Sequence, residues 1–225
     1  MIALSSYLIP QLVVIDTEIC QRVEKSVAID GILTSLCIAV EAFLSPASDS
    51  NPRYKANAVI SCQLLLNNLD KLINNPDDTF IRKSIAVGSY YAGLSSTHTG
   101  IGYAHMIIHS MLEKNCDVHG VYYLKLLSII LRKTMSFYNE RIAELSRELH
   151  LCSNSADDTQ ASETLIERFE RICSQYSDYF VSQSVSRDEI KKMLEDIKKE
   201  GFIFELKKLP NSLFVEALEE ISDNG

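Results

Sequence analysis

Three of the five histidines lie close together in the stretch "TGIGYAHMIIHSMLEKNCDVHG", residues 99–120. His105 and His109 are four residues apart, so a helix would place both imidazoles on one face, and His119 follows directly before Gly120. Neutral imidazoles that converge from a helix and the loop after it suit a divalent transition metal. The same spacing also fits hydrogen-bonded histidines of a buried helix, so the pattern alone leaves both interpretations open.

Helical patterns must position these histidines, because such patterns cover almost the whole chain. The exception is "LIPQLVVID" (8–16), a short β-branched run that predicts one strand. We therefore expect an all-α fold, a multi-helix domain with one short N-terminal strand, divided into a linking strand at 1–16 and a helical domain at 17–225. The predicted helices are 28–44, 52–74, 78–94, 100–113, 119–149, 160–183, 186–200 and 211–222.

The charge distribution argues against a nucleic-acid partner. Residues 1–138 hold 11 Lys and Arg against 11 Asp and Glu, whereas residues 139–225 hold 11 against 19. The acidic excess therefore lies in the last third of the chain, and binding to phosphate backbones needs a basic face.

Cysteine usage and hydropathy favour a cytoplasmic protein with no membrane contact. The six cysteines include no CxxC pair, and "MIALSSYLIPQ" at the N-terminus lacks the basic region and long apolar core of a secretory signal. No uncharged apolar stretch reaches the roughly 18 residues that a membrane span needs. We expect reduced thiols and a cytoplasmic location.

The histidine stretch resembles the signature of the group III, iron-dependent alcohol dehydrogenases, in which a Gly-rich turn and GxxHxxxH on a helix are followed by HG. Four other segments resemble motifs of that family in the same order, and the resemblance covers most of residues 8–205. The segments are "LIPQLVVIDTEI" (the strand before the helical half), "VEAFLSPASDSNPRYKANAVI" (the IEAYxS helix and its successor), "SIAVGSYYAGLS" and "VSRDEIKKMLEDIKKEG" (the ITxEDI helix).

The resemblance implies a fold with two halves, an N-terminal α/β half that binds NAD(P) and a C-terminal helical half that holds a metal. This chain resembles only the helical half. We therefore expect no nucleotide-binding domain and no NAD(P) site in it, and the chain has neither GxGxxG nor GxxxxGK[ST].

The resemblance also implies a metal site with four protein ligands, of which this chain keeps two. His105 and His119 match the later histidine ligands of the family. When the chain is aligned on Glu41, Thr34 stands where the family has an aspartate and Ile38 where it has the first histidine. Glu41 itself lies in an apolar helix, where a capping or interhelical hydrogen-bonding role is favoured over catalysis.

His109 matches the second histidine of GxxHxxxH, which in the family lies near the reaction centre, and it is the one candidate catalytic residue. Loss of the aspartate removes the anionic ligand, so His105 and His119, joined by His109 if it rotates in, would hold Zn(II) or Ni(II) weakly and Fe(II) poorly. No cofactor is certain, and a weakly bound divalent metal (Fe, Zn or Ni) stays open. A rearranged site with Asp30 and Cys37 is the alternative to a vestigial one.

Three functional hypotheses follow. The chain is an inactive binding or assembly subunit, the metal- and substrate-binding half of a split NAD(P)-dependent alcohol dehydrogenase completed by a separate chain, or a stand-alone histidine-based metal-binding protein. We favour the first two, and activity would require a partner chain. A helical half alone would expose its metal-side face, so we expect a homo-oligomer, a nucleotide-binding-domain partner or a full-length dehydrogenase partner.

Overall fold

The structure, a computed structural model, describes residues 9–112, 120–177 and 211–223, together with Lys192 and Glu195. These ranges are helical almost throughout, which confirms the expected all-α class. The helices are α1 (Thr17–Gln21), α2 (Lys25–Leu44), a 3₁₀ turn (Pro46–Ser50), α3 (Pro52–Asn74), α4 (Thr79–Thr99), α5 (Tyr103–Leu112), α6 (Gly120–Glu148), α7 (Asp158–Gln175) and α8 (Asn211–Asp223).

The N-terminal strand was wrongly predicted. Residues 9–16 form no strand, and the side chains of Leu12 and Val14 are both 79% exposed. A strand is stabilised by a neighbouring strand, and none runs beside this segment in the described part of the chain. The helix predicted at 186–200 lies outside the described residues except for Lys192 and Glu195.

Local signals set where the helices begin. The Asn51 side chain accepts a hydrogen bond from the backbone N–H of Arg53, and Pro52 occupies the first helical position of α3. The Asp78 carboxylate caps α4 by accepting from the N–H groups of Phe80 at 2.8 Å and Ile81 at 3.0 Å. These caps are local in sequence, which explains why the predicted and observed helix starts agree closely.

Helix α2 forms the centre of the core and packs against α3, α4 and α6. Ile32, Leu33, Leu36 and Cys37 are completely buried there. By length and composition α2 could cross a membrane, but most of it is buried inside the helical bundle, as in the core helix of a soluble domain. Helices α7 and α8 pack on α6, and Arg168 and Gln175 of α7 also reach Asp70 of α3.

Candidate functional site

Helix α5 carries the two described histidines of the opening stretch. Gly100 ends α4 with φ of 83°, a left-handed conformation that favours glycine, and the chain re-enters a helix at Tyr103. The rings of His105 and His109 are stacked with centroids 4.6 Å apart, and their Nε2 atoms are 2.7 Å apart. The two imidazoles therefore lie on one face, as the spacing predicts. His119 lies outside the described residues.

Glu41 of α2 holds the N-terminal end of α5 in place. Its carboxylate accepts from the backbone N–H groups of Ala104 at 2.9 Å and His105 at 3.3 Å. It also accepts from the Tyr123 hydroxyl of α6 at 2.5 Å, and the Tyr123 ring meets the His105 ring edge-on. Glu41 thus joins three helices beneath the histidine pair, which is the interhelical hydrogen-bonding role that the sequence favoured.

Two glycines of the opening stretch permit close approach of the helices. A methyl group at Gly102 would overlap the Glu41 carboxyl, and one at Gly120 would overlap the backbone carbonyl oxygen of Asp30. The Gly120 N–H donates to Asp30 Oδ1 at 2.5 Å, which fixes the start of α6 on α2. Gly120 is therefore required by the backbone of α2, whereas Gly102 leaves room for a carboxyl that three hydrogen bonds hold in position.

Burial sets the protonation of this centre. Burial raises the pKa of Glu41 to about 7, although the hydrogen bonds from Tyr123, Ala104 and His105 oppose that rise. Burial, together with the nearby Glu41 carboxylate, holds the pKa of Tyr123 well above its ordinary value. Partial burial lowers the pKa of His109, which favours its neutral form.

The two α2 residues that the resemblance aligns with the family's other ligands are Thr34 and Ile38. Ile38 packs against the hydrophobic core with an aliphatic side chain. Thr34 is half-buried, and its Oγ1 is buried without a hydrogen-bond partner among the described residues. A buried hydroxyl without a hydrogen-bond partner is uncommon in a folded protein. At the same position the family resemblance implies an aspartate, whose carboxylate would carry a negative charge.

The structure does not support the rearranged site with Asp30 and Cys37. Asp30 is bound to the start of α6 through Gly120, and Cys37 is completely buried. Burial raises the pKa of the Cys37 thiol well above its ordinary value, so the neutral thiol is favoured in the chain itself. No group of three or more His, Cys, Asp or Glu side chains suited to a metal occurs within the described ranges.

The sequence did not indicate an apolar cleft next to Glu41. It has a volume of about 370 Å³, including space open to solvent. Thr134 at its wall already donates to the Ile130 carbonyl oxygen, so the carboxyl of Glu41 and the hydroxyl of Tyr138 are its other polar groups. Its lining residues are Glu41, Leu44, Leu127, Ile130, Leu131, Thr134 and Tyr138.

The described residues do not fit an iron site. Fe(II) in a Lewis-acid role is held by a mixed set of imidazole and carboxylate ligands. Here α5 supplies two imidazoles, whereas Thr34 and Ile38 stand on α2 at the positions that the resemblance aligns with the family's other two ligands. The carboxylate of Glu41 already accepts hydrogen bonds from the Tyr123 hydroxyl and from the backbone of α5.

Comparison with known proteins agrees with this fold. The chain is similar to maleylacetate reductase 1 of Rhodococcus opacus, with 25% identity over 146 residues that cover 65% of this chain and 39% of that protein. It is also similar to a probable mitochondrial hydroxyacid-oxoacid transhydrogenase of Dictyostelium discoideum, with 29% identity over 140 residues, 54% of this chain and 26% of that protein. The chain therefore spans less than half the length of these curated relatives.

Solved structures show the same fold at low identity. A 1,3-propanediol oxidoreductase and an alcohol dehydrogenase from Oenococcus oeni each superpose with a TM-score of 0.79 at 20% identity, over 92% of this chain and 54% of theirs. The family model for the C-terminal domain of the Fe-containing alcohol dehydrogenases matches residues 28–200. The chain thus belongs to the Fe-containing alcohol dehydrogenase family, and the part of the family that it matches is the C-terminal helical domain.

Proposed function

We propose that this helical domain does not support iron-dependent alcohol oxidation and acts by binding or assembly with another chain. The proposal rests on two side chains of α2, Thr34 and Ile38, which the resemblance aligns with the family's aspartate and histidine ligands. An iron ion bound here would lose an anionic ligand and one imidazole. Its positive charge would then face an uncharged hydroxyl and an aliphatic side chain.

The exposed apolar residues near the N-terminus support the assembly half of the proposal. Leu12 and Val14 are each 79% exposed, Ile19 is 65% exposed, and Phe80 is 75% exposed at the start of α4. Where such side chains form one contiguous patch, a second copy or a nucleotide-binding partner would cover it. Light scattering should show an oligomer, and a monodisperse monomer would contradict a homo-oligomer.

Restoring the missing ligands tests the proposal at the metal site. The purified chain is loaded with Fe(II) without oxygen, desalted and measured by elemental analysis beside the Thr34→Asp/Ile38→His variant. We expect far less than one iron per wild-type chain and a clear gain in the variant, because the variant regains an anionic ligand and an imidazole. The Thr34→Val/Ile38→Leu variant is the matched control and should bind no more iron than the wild type.

Stoichiometric iron in the wild-type chain, together with NAD(P)-linked oxidation of a primary alcohol, would overturn the proposal.

A second candidate is the metal- and substrate-binding half of a split dehydrogenase. The geometry of α5 favours it, because the hydrogen bonds of Glu41 to the His105 backbone and to Tyr123 fix the helix that carries His105. In that case the missing ligands must be supplied elsewhere. Elemental analysis of the complex with a nucleotide-binding chain should then find one metal per complex, and a metal-free complex would count against this candidate.

A further inference from the structure

Residues 10–15 have the residue types of a strand, and their exposure alternates as in a strand. Leu12 and Val14 are both 79% exposed, whereas Val13 is 45% exposed and Ile15 is half-buried. Successive side chains of a strand point to opposite faces, which produces this alternation. The chain's own residues therefore cover the Val13 and Ile15 side in part, and Leu12 and Val14 form an exposed apolar side.

The backbone of this segment is also available for pairing. The N–H and C=O groups of residues 10–15 make no hydrogen bond within the described part of the chain. The next residue, Asp16, is extended, with φ of −83° and ψ of 106°. A run of apolar, mostly β-branched residues with unpaired N–H and C=O groups is a template for pairing with another strand.

The helix that follows fixes the point at which the segment leaves the bundle. The Asp16 carboxylate caps α1 by accepting from the N–H of Glu18 at 2.9 Å. The buried guanidinium of Arg82 in α4 donates to the carbonyl oxygens of Cys20 at 3.2 Å and Val23 at 2.7 Å. One end of the segment is thus held against α4, which reduces the entropy that pairing would cost.

The exposed apolar side distinguishes two kinds of partner strand. In an antiparallel pair with a second copy, centred on Val13, Leu12 of each copy would lie opposite Val14 of the other copy on one face. These four side chains would still face water, and a two-stranded ribbon is only marginally stable. The edge of a sheet that carries its own helices would pair with the backbone and also cover Leu12 and Val14.

We infer that residues 10–15 dock as a strand on the sheet edge of a different chain, an α/β protein whose helices cover Leu12 and Val14. The N–H and C=O groups of alternate residues form the ladder, and the two exposed side chains pack under the helices of the partner. This inference rests on the proposed function, because it names the contact through which the chain assembles with another chain.

Photocrosslinking of the full chain in cells of its native host tests the contact. The photoreactive residue p-benzoylphenylalanine replaces Gln11, which is exposed beside Leu12 and leaves Leu12 and Val14 intact. We expect an adduct with a different chain, and mass spectrometry should map the crosslink to an edge strand of that chain or to the helix that covers it. The matched control carries the same residue in place of Phe137, which is 57% exposed on α6, and should give only background labelling.

Proline variants of the labelled chain test whether the contact is strand pairing. Only alternate N–H groups of a strand point to a given neighbour, and proline has no N–H. Either Val13→Pro or Val14→Pro should therefore lower the adduct yield about tenfold, whereas the other should change it much less. Val13→Ala and Val14→Ala separate the loss of each side chain from the loss of its N–H.

An adduct with the mass of two copies of this chain would overturn the inference, and so would a crosslink that maps to a loop outside any sheet. Equal yields in the two proline variants would also overturn it, because a contact without a ladder has no alternation. An oligomer in light scattering that both proline variants keep would reject this contact and leave the proposed assembly standing. Iron loading of the Thr34→Asp/Ile38→His variant is independent of these outcomes, so the two proposals can fail separately.

Discussion

The two sides of the candidate site differ in what they retain. On the α5 side, Gly102 admits the Glu41 carboxyl, which accepts hydrogen bonds from two N–H groups of α5 and from the Tyr123 hydroxyl. On the α2 side, Thr34 has a buried hydroxyl without a partner among the described residues, and Ile38 packs into the core. The hydrogen bonds around Glu41 are thus satisfied, whereas the Thr34 hydroxyl is not. The contrast shows that the helices of this site are well packed on each other although one buried polar atom on α2 lacks a partner among the described residues.

The largest expected effect comes from filling the space on the α5 side. Gly102→Ala would place a methyl group on the Glu41 carboxyl, which three hydrogen bonds hold in position. We expect a loss of about 3 kcal/mol in the free energy of unfolding, at the upper end for overpacking. Urea denaturation followed by circular dichroism measures it.

Gly93→Ala is the matched control, because nothing lies within 4 Å of a methyl group at that position in α4. It should gain about 0.5 to 1 kcal/mol from the helix propensity of alanine. In the Glu41→Ala background, Gly102→Ala should lower the free energy of unfolding much less, because the overlapping carboxyl is absent. An equal cost in both backgrounds would show that Glu41 does not set the requirement for glycine.

The second prediction uses the ionisation of Glu41. Its folded-state pKa of about 7 lies above the ordinary 4.5, so the folded state binds more protons than the unfolded state between these values. The stabilising contribution is complete below pH 4.5 and is lost as the pH rises through 7, in total about 3 kcal/mol. Cys37 and Tyr123 stay neutral across this range, because the pKa of each is raised well above its ordinary value.

Denaturation of the wild type and Glu41→Gln at pH 4.5, 6 and 8 isolates this contribution. Glutamine cannot ionise, so its stability relative to the wild type should rise by about 3 kcal/mol across the series. A constant difference at the three pH values would mean that Glu41 is ionised throughout. The hydrogen bonds from Tyr123, Ala104 and His105 would then offset the effect of burial on the pKa.

Local patterns predicted the helices well, and they failed where a feature depended on distant partners. Asp78 caps α4 through its own sequence neighbours, and the stacking of His105 on His109 follows from a spacing of one helical turn. The strand at 8–16 failed because a strand depends on a neighbour that the sequence does not specify. The sequence favours a hydrogen-bonding role for Glu41, but it does not identify the partners of this residue. One of them, Tyr123, lies 82 residues away in the chain.

Only the family resemblance identifies Thr34 and Ile38 as positions where metal ligands are expected. Neither residue type signals a metal site, and only alignment on Glu41 marks them as places where ligands are expected. The structure adds that the Thr34 hydroxyl is buried without a partner among the described residues, which periodicity could not indicate.

The smallest expected effect lies on the α2 side, at Thr34. Thr34→Val replaces a buried hydroxyl that has no partner in the described part of the chain with a methyl group of similar size. We expect a gain of about 1 kcal/mol in the free energy of unfolding, because the cost of burying that hydroxyl disappears. Ser35→Ala is the matched control: Ser35 Oγ donates to Ser89 Oγ at 3.0 Å, so its removal should lose about 0.5 to 1 kcal/mol. A lower free energy of unfolding in Thr34→Val as well would mean that the Thr34 hydroxyl has a hydrogen-bond partner. The contrast between the two sides of the site would then no longer hold.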